Sequence, residues 1–127
     1  MFQKLFLVSI LLGLCIYNYA AEFKNLSPKV GKRVELKFKT IPNTIIRTVK
    51  SRGFETYYFT VCNGNNKGKC GYWYHPSTGK KDTKKGLPTF NKNKSMLIIP
   101  KVVMGDTGLH ATDIPENSLY YLIVVKK

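Results

Sequence analysis

Short segments in which apolar and polar residues alternate recur along the chain beyond residue 20. The clearest lies at residues 33–39, where Val34, Leu36 and Phe38 fall on one side and charged residues on the other. Because successive side chains of a strand point to opposite faces, this alternation predicts a strand with one buried face. Residues 97–99 repeat the pattern, and no helical period longer than one turn is found beyond residue 20. The pattern therefore predicts an all-β domain.

Other predicted strands are rich in β-branched and aromatic residues, which favour extended backbone. Residues 54–61 are predicted to form a central strand and residues 71–75 to pair with it, whereas residues 45–49 predict only a short extra strand. Further strands are predicted at residues 23–30, 109–114 and 119–125, with one short edge strand in the polar tract 76–94. A total of seven to eight short strands separated by turns is typical of a sandwich of two sheets.

Residues 97–112 carry a more specific motif. Two alternating aliphatic residues are followed, after a short gap, by Asp106, Gly108, His110 and Thr112 at every second position. This spacing resembles the corner between strands E and F of an immunoglobulin domain, where the motif ends in Asp-x-Gly-x-Tyr-x-Cys. His110 takes the place of the corner tyrosine, and Thr112 takes the place of a core cysteine. The resemblance implies an immunoglobulin-like antiparallel β-sandwich of seven to eight strands.

The same resemblance places Leu36 near the position of the first core cysteine, so the implied domain lacks the usual core cysteine pair. Such a disulfide is typically worth about 2–4 kcal/mol, which packing would have to replace. The chain resembles the small, divergent, signal-bearing immunoglobulin-like proteins of expanded families, particularly in nematodes. His110 is expected to make a structural hydrogen bond in place of the tyrosine hydroxyl. Because imidazole titrates near pH 6.5, we hypothesise that this bond weakens and stability falls between about pH 7 and 5.5.

The first twenty residues have the three parts of a secretory signal. Lys4 supplies the positive start, residues 5–16 form an uncharged apolar core, and Ala20 ends a small-residue exit. An uncleaved membrane anchor is the alternative, but a membrane span requires about 20 apolar residues. We expect a signal peptide at residues 1–20, an immunoglobulin-like domain at residues 21–127, and no transmembrane segment after cleavage. The protein is therefore predicted to be secreted and extracellular.

Cleavage of the signal would remove Cys15 and leave Cys62 and Cys70. A loop rich in Asn and Gly separates these two cysteines and joins two predicted strands, which brings them near each other across the base of a hairpin. In a secreted chain, this arrangement predicts a Cys62–Cys70 disulfide. A metal site that also includes His75 is the alternative, but the spacing matches no common zinc pattern. No metal or other cofactor is expected.

The chain is strongly basic, with a formal net charge of +14 at pH 7. Such a charge raises the local concentration of anionic partners. An acidic glycan or an anionic surface is the expected partner, and nucleic acid is not expected outside the cell. The alternative is that the lysines only solvate loops and protect edge strands from pairing. The candidate polyanion-binding residues are Lys67, Lys69, Lys80, Lys81, Lys84 and Lys85.

Aromatic residues are concentrated on the two strands of the predicted hairpin. Tyr72, Trp73 and Tyr74 are candidate contacts for an extracellular protein, because alternation directs some of them away from the core and exposed Tyr and Trp are typical of binding surfaces. Packing inside the sandwich or across strands is the alternative. Asn93 begins a glycosylation sequon, and Asn25 begins a second one that the following Pro28 weakens.

The sequence contains none of the common hydrolase, metalloprotease or phosphate-loop motifs, and it has only seven acidic residues and two histidines. An enzyme is therefore not expected. The prediction is a secreted recognition module, a basic immunoglobulin-like domain that binds an extracellular protein or an anionic glycan or surface. A cationic defence effector acting on anionic microbial surfaces is the alternative, although no amphipathic helix for membrane insertion is evident.

Overall fold

Ten short strands make up the regular structure of residues 22–51 and 53–126, the part of the chain that the computed structural model describes. The predicted signal peptide lies outside these residues. Apart from a single 3-10 turn at Met104–Asp106, the described residues contain no helix, and none that could cross a membrane. In chain order the strands are β1 (Phe23–Leu26), β2 (Val34–Lys37), β3 (Thr44–Val49), β4 (Glu55–Thr60), β5 (Trp73–His75), β6 (Lys80–Asp82), β7 (Thr89–Asn91), β8 (Met96–Ile99), β9 (Gly108–Thr112) and β10 (Leu119–Leu122).

The strands form two sheets. The larger sheet has the order β1-β10-β9-β3-β4-β5-β6, and the smaller has the order β2-β8-β7. Neighbouring strands are antiparallel except β1 and β10, which run parallel. This order corresponds to that of a variable-type immunoglobulin domain, in which two additional strands extend the sheet that contains strands G, F and C, with β6 as one further edge strand. The predicted immunoglobulin-like β-sandwich is confirmed.

The number of strands differs from the seven to eight predicted, because the polar tract after His75 contains both β6 and β7. Each has only three residues, which is too short for alternation to be visible in the sequence. The central strand also differs from the prediction. Instead of residues 54–61, β3 occupies the middle of the larger sheet, between β4 and β9. The inward positions of β3 are Ile45, Arg47 and Val49. The charged Arg47 interrupts the apolar alternation that would have identified β3 as a central strand.

The hydrophobic core lies between the two sheets. The alternation predicted for residues 33–39 is confirmed, since Val34, Leu36 and Phe38 are buried and the residues between them are exposed. Phe38 packs edge-to-face against Tyr120, with ring centroids 5.8 Å apart. The Tyr120 hydroxyl donates a hydrogen bond to the Lys37 carbonyl and so ties the two sheets together. Other large core side chains include those of Ile45, Tyr57, Trp73, Leu97, Ile99 and Leu122.

Polar contacts secure the Thr112 end of β9. The Thr112 hydroxyl accepts hydrogen bonds from the Ile114 backbone N–H at 3.1 Å and from Nδ2 of Asn117 at 3.0 Å. Asn117 is buried, and its side chain also bonds the N–H and C=O of Thr40. These bonds connect the loop after β2 to the loop before β10 and satisfy polar groups that would otherwise be costly to bury.

Candidate recognition surface

The Cys62–Cys70 disulfide predicted from the sequence is present, with the two Cα atoms 5.1 Å apart. It closes the loop between β4 and β5. The Gly71 N–H donates to the Thr60 carbonyl at 2.8 Å, and Nδ2 of Asn66 donates to the Val61 carbonyl at 3.0 Å. These bonds hold the loop against the end of β4. Because both cysteines form this bond, they do not contribute to a metal site, and the described residues contain no group of three potential metal ligands.

Alternation along β5 separates the three aromatic residues that were predicted to contact a partner. Trp73 points into the core and is only 3% exposed. Its indole Nε1 donates a hydrogen bond to the Pro88 carbonyl at 2.9 Å, and its ring packs 5.2 Å from that of Phe59. The prediction that Trp73 contacts a partner is therefore wrong, because its ring is part of the core and is not available at the surface.

Tyr74, in contrast, is 39% exposed and points away from the core. It lies opposite Tyr58 on β4, which is 38% exposed, so both side chains extend from the outer side of the sheet at neighbouring positions. Tyr72 is half-buried, and Nζ of Lys81 lies 4.3 Å from its ring centroid, which is a favourable cation–π distance. A role for Tyr72 and Tyr74 in partner binding stays a prediction.

The strand register continues the Tyr74–Tyr58 pair across the whole larger sheet. Residues directly opposite one another on neighbouring strands share a face. We call the outward surface of this sheet the outer face. One of its rows consists of Lys81, Tyr74, Tyr58, Ile46 and Ala111. The next row consists of Thr56, Thr48, Leu109, Tyr121 and Asn25. A third, shorter row at the β1 edge contains only Leu119 and Phe23.

The outer face is almost free of charge although the chain is strongly basic. Among the twelve residues of the rows just named, only Lys81 is ionised at neutral pH, and it lies on the edge strand β6. The outward side of the smaller sheet differs, since Glu35 and Lys37 on β2 are both exposed there. Antiparallel sheets with one solvated side usually carry polar residues on that side. The outer face departs from this rule in part, because it combines aliphatic and aromatic residues with uncharged Thr and Asn.

The six candidate polyanion-binding lysines are all exposed but belong to different parts of the surface. Lys67 and Lys69 lie in the disulfide loop, Lys80 and Lys81 on β6, and Lys84 and Lys85 in the segment that follows β6. Charged side chains on an edge strand such as β6 also protect it from pairing with other chains. Binding of a polyanion by these residues stays a prediction. Asn93 is exposed in the turn between β7 and β8, and its glycosylation likewise stays a prediction.

Beneath the sheet lies a buried cluster of charged and polar side chains that the sequence did not predict. Arg47 is 3% exposed, and its Nη2 donates to Oδ1 of Asp106 at 2.6 Å. The other carboxylate oxygen of Asp106 accepts the Val103 backbone N–H at 2.9 Å. Nε of Arg47 donates to Nε2 of His110 at 3.2 Å, and Nδ1 of His110 lies 3.2 Å from the Gly108 carbonyl. The apolar residues two positions before and after Arg47, Ile45 and Val49, were the available sign that it faces inward.

This geometry fixes the protonation of His110. Since Nε of an arginine can only donate, Nε2 of His110 must accept, and the ring is neutral with its proton on Nδ1, facing the Gly108 carbonyl. The structural hydrogen bond expected of His110 is confirmed. Burial, followed by the nearby charge of Arg47, lowers the pKa of His110 from 6.5 to about 3. The bond itself therefore does not weaken between pH 7 and 5.5, which corrects the mechanism expected from the sequence.

The free energy of unfolding is nevertheless expected to decrease as the pH is lowered, because of His110. The unfolded state takes up a proton on this side chain below pH 6.5, whereas the folded state does so only near pH 3. The stabilisation is complete above pH 6.5 and is lost as the pH falls towards 3, by up to about 1.4 kcal/mol per pH unit. Urea unfolding should show a loss of about 1 kcal/mol between pH 7 and 5.5 that is missing in His110→Gln. Equal losses in the two proteins would contradict this assignment.

Comparisons with known proteins add a likeness of fold. No protein-family model matches the chain, and no curated protein matches it. Among solved structures, the extracellular portion of mouse CD200RLa is similar, with a TM-score of 0.46 and 15% sequence identity. The likeness covers 81% of this chain and 56% of that chain, so this chain spans little more than half the length of that neighbour. The assignment of the fold rests on the strand order of the two sheets.

Proposed function

We propose that this domain is a secreted, non-enzymatic recognition module that binds an extracellular protein through its outer face. The observation that carries the proposal is the absence of charge from the centre of that face in a chain with a net charge of +14. A disulfide and a signal-like N-terminal sequence favour an extracellular location.

The composition of the outer face is that of a protein–protein interface. The central parts of such interfaces are depleted in charge and enriched in tyrosine and other aromatic residues. Tyr58 and Tyr74 lie side by side and are each more than one third exposed, and Phe23 at the β1 edge is 58% exposed. Tyrosine loses little conformational freedom on binding because it has only two rotatable side-chain bonds. The two tyrosines are therefore the proposed anchors of the contact.

The lysines have a supporting role in this proposal. Only Lys81 belongs to the outer face, at its edge, and the remaining five candidate lysines lie outside the proposed contact, towards the β6 end of the sheet. A positive field beside the contact accelerates encounter with an acidic partner and is weakened by salt, whereas contacts in the interface centre determine the rate of dissociation. Attachment to an acidic glycan or anionic surface through the lysines is compatible with the same arrangement.

The proposal is tested by screening the oxidised domain, in multivalent form, against an array of secreted and cell-surface proteins. Soluble heparin is added to compete with binding that depends only on the lysines. The Tyr58→Ser/Tyr74→Ser variant is compared with Ile41→Ser/Met104→Ser, which removes two apolar side chains of similar exposure, 44% and 38%, outside the outer face.

We expect at least one heparin-resistant interaction that is weakened about tenfold or more by the tyrosine variant, since truncation of an interface anchor commonly costs 2 kcal/mol or more. The Ile41→Ser/Met104→Ser variant should bind as the wild type does. An array without heparin-resistant binding, or equal weakening by both variants, would contradict the proposal.

A further inference from the structure

A small cleft lies beside the buried Arg47 cluster, on the side of the larger sheet that faces the core. Arg47 and Asp106 form part of its wall, and the segment after β6 contributes Lys84 and Lys85. Leu87 adds apolar surface. The cleft is therefore distinct from the outer face, and the two sites can be tested independently.

We propose that this cleft binds a single tetrahedral oxyanion group, such as a sulfate or phosphate ester, between Arg47, Lys84 and Lys85. The site goes beyond the proposed protein-recognition function and identifies the chemistry of a second ligand. The argument rests on the unused donor of Arg47, on the charge of the lining and on the size of the cleft.

The guanidinium of Arg47 retains a donor for a ligand. Its side chain is 4% exposed, and hydrogen bonds occupy Nε and Nη2. Within the described part of the chain, Nη1 makes no hydrogen bond, although Arg47 lines the cleft. Nη1 is not among the buried side-chain atoms of the described residues that lack a partner, so this donor is open to the cleft, where an oxyanion would supply an acceptor for it.

The acidic residues near the cleft do not neutralise it. Both carboxylate oxygens of Asp106 are already engaged, one by Arg47 and the other by the Val103 N–H. Oδ1 of Asp82 accepts the Lys84 backbone N–H at 3.1 Å, which fixes the start of the segment that carries the two lysines. Three cationic side chains thus face two carboxylates, and the lining keeps a positive charge.

The burial of Arg47 also favours the binding of an anion in the cleft. Loss of solvation lowers the pKa of Arg47 below its ordinary value, and this effect outweighs the attraction of Asp106, which raises it. The guanidinium is therefore less well stabilised than it would be in water. A second anion close to it would restore part of the lost stabilisation.

The size and the donor arrangement of the cleft select the ligand. Its volume is about 100 Å³, well below the roughly 300–1,000 Å³ of pockets for drug-sized molecules, so it accommodates one small group. Nη1 of Arg47 carries two unused N–H groups, so Arg47 alone does not select between a carboxylate and a tetrahedral group, and the selection must come from the two lysines. The Arg47 donors come from β3, and the two lysine ammonium groups come from the segment after β6. A group with three free oxygens can accept one bond from each of them.

The sole tryptophan of the chain provides the measurement. The Trp73 ring lies 5.5 Å from Cζ of Arg47, so its fluorescence should respond to occupancy of the cleft. The protein is titrated with sodium sulfate, sodium phosphate or sodium acetate at constant ionic strength maintained with chloride. We expect saturable responses to sulfate and phosphate and only a weak, non-saturating response to acetate. Equal saturation by acetate would overturn the assignment of a tetrahedral group.

Charge variants separate the cleft from general attraction. Lys84→Gln/Lys85→Gln should bind sulfate about tenfold more weakly. The matched variant Lys39→Gln/Lys126→Gln removes the same charge at exposed positions outside the cleft and should stay within about twofold of the wild type. Equal weakening by the two variants, or a response to sulfate that does not saturate, would overturn the proposal. Tyr58→Ser/Tyr74→Ser should bind sulfate normally, whatever its effect on protein binding.

The natural source of the group is distinguished in a final titration with a sulfated disaccharide and with its unsulfated form. Saturable binding of the sulfated form alone, with the same loss in Lys84→Gln/Lys85→Gln, would assign the cleft to sulfated glycans. Binding of inorganic sulfate and phosphate without binding of the disaccharide would assign it to a free anion. Failure of all these probes to bind would overturn the site.

Discussion

Asp106→Asn is expected to destabilise the domain by about 3–5 kcal/mol. The substitution keeps the shape of the side chain and an oxygen that can accept the Val103 N–H, but it leaves the Arg47 charge without a counterion at 3% exposure. Breaking a buried ion pair by removing one partner costs this much because the remaining charge stays desolvated. A loss of this size is a large fraction of the 5–15 kcal/mol that stabilises a typical domain. Urea unfolding monitored by Trp73 fluorescence would measure it.

A double-mutant cycle distinguishes the ion pair from the loss of packing. Arg47→Met removes the charge while keeping a long apolar side chain, and it should also destabilise the protein because Asp106 is left unpaired. Arg47→Met/Asp106→Asn contains neither charge, so its loss should be clearly smaller than the sum of the two single losses. Additive losses would show that the charges do not interact strongly, and the buried cluster would then be a packing feature only.

The positions of residues whose local sequence pattern agrees with their tertiary environment were predictable from the sequence. Val34, Leu36 and Phe38 alternate with charged residues, and each faces the core as expected. The disulfide was also predictable, because the short loop between Cys62 and Cys70 is rich in turn residues, which keep its two ends close together. In both cases the local pattern and the tertiary environment favour the same structure.

Residues whose environment depends on distant segments were not predictable. Arg47 faces the core because Asp106 and His110, about sixty positions later, supply its partners. Trp73 was expected to bind a partner, yet the segment around Pro88 covers it. For the same reason, the absence of charge from the centre of the outer face became evident only from the register of β3, β4, β5 and β9, since the sequence does not indicate which outward residues are neighbours.

Gly108→Ala is expected to destabilise the domain by at least about 3 kcal/mol, for a reason that the immunoglobulin-like motif alone does not reveal. Gly108 has φ +143°, a conformation that disfavours any side chain. It also begins β9 directly opposite Val49 on the central strand β3. A Cβ atom at this position would overlap the Thr48 carbonyl oxygen and lie 2.8 Å from Cα of Val49.

The neighbouring atoms cannot relieve this overlap cheaply, because they belong to the backbone of a strand paired on both sides. Gly64→Ala is the matched control: Gly64 has φ +91°, but nothing lies within 4 Å of a Cβ atom there. Its free energy of unfolding should decrease only by the conformational cost of about 1–2 kcal/mol. Thermal and urea unfolding of both variants would separate the two effects. If Gly108→Ala lost no more than Gly64→Ala, the close approach of β9 to β3 would not be the reason for glycine here, and backbone conformation alone would explain it.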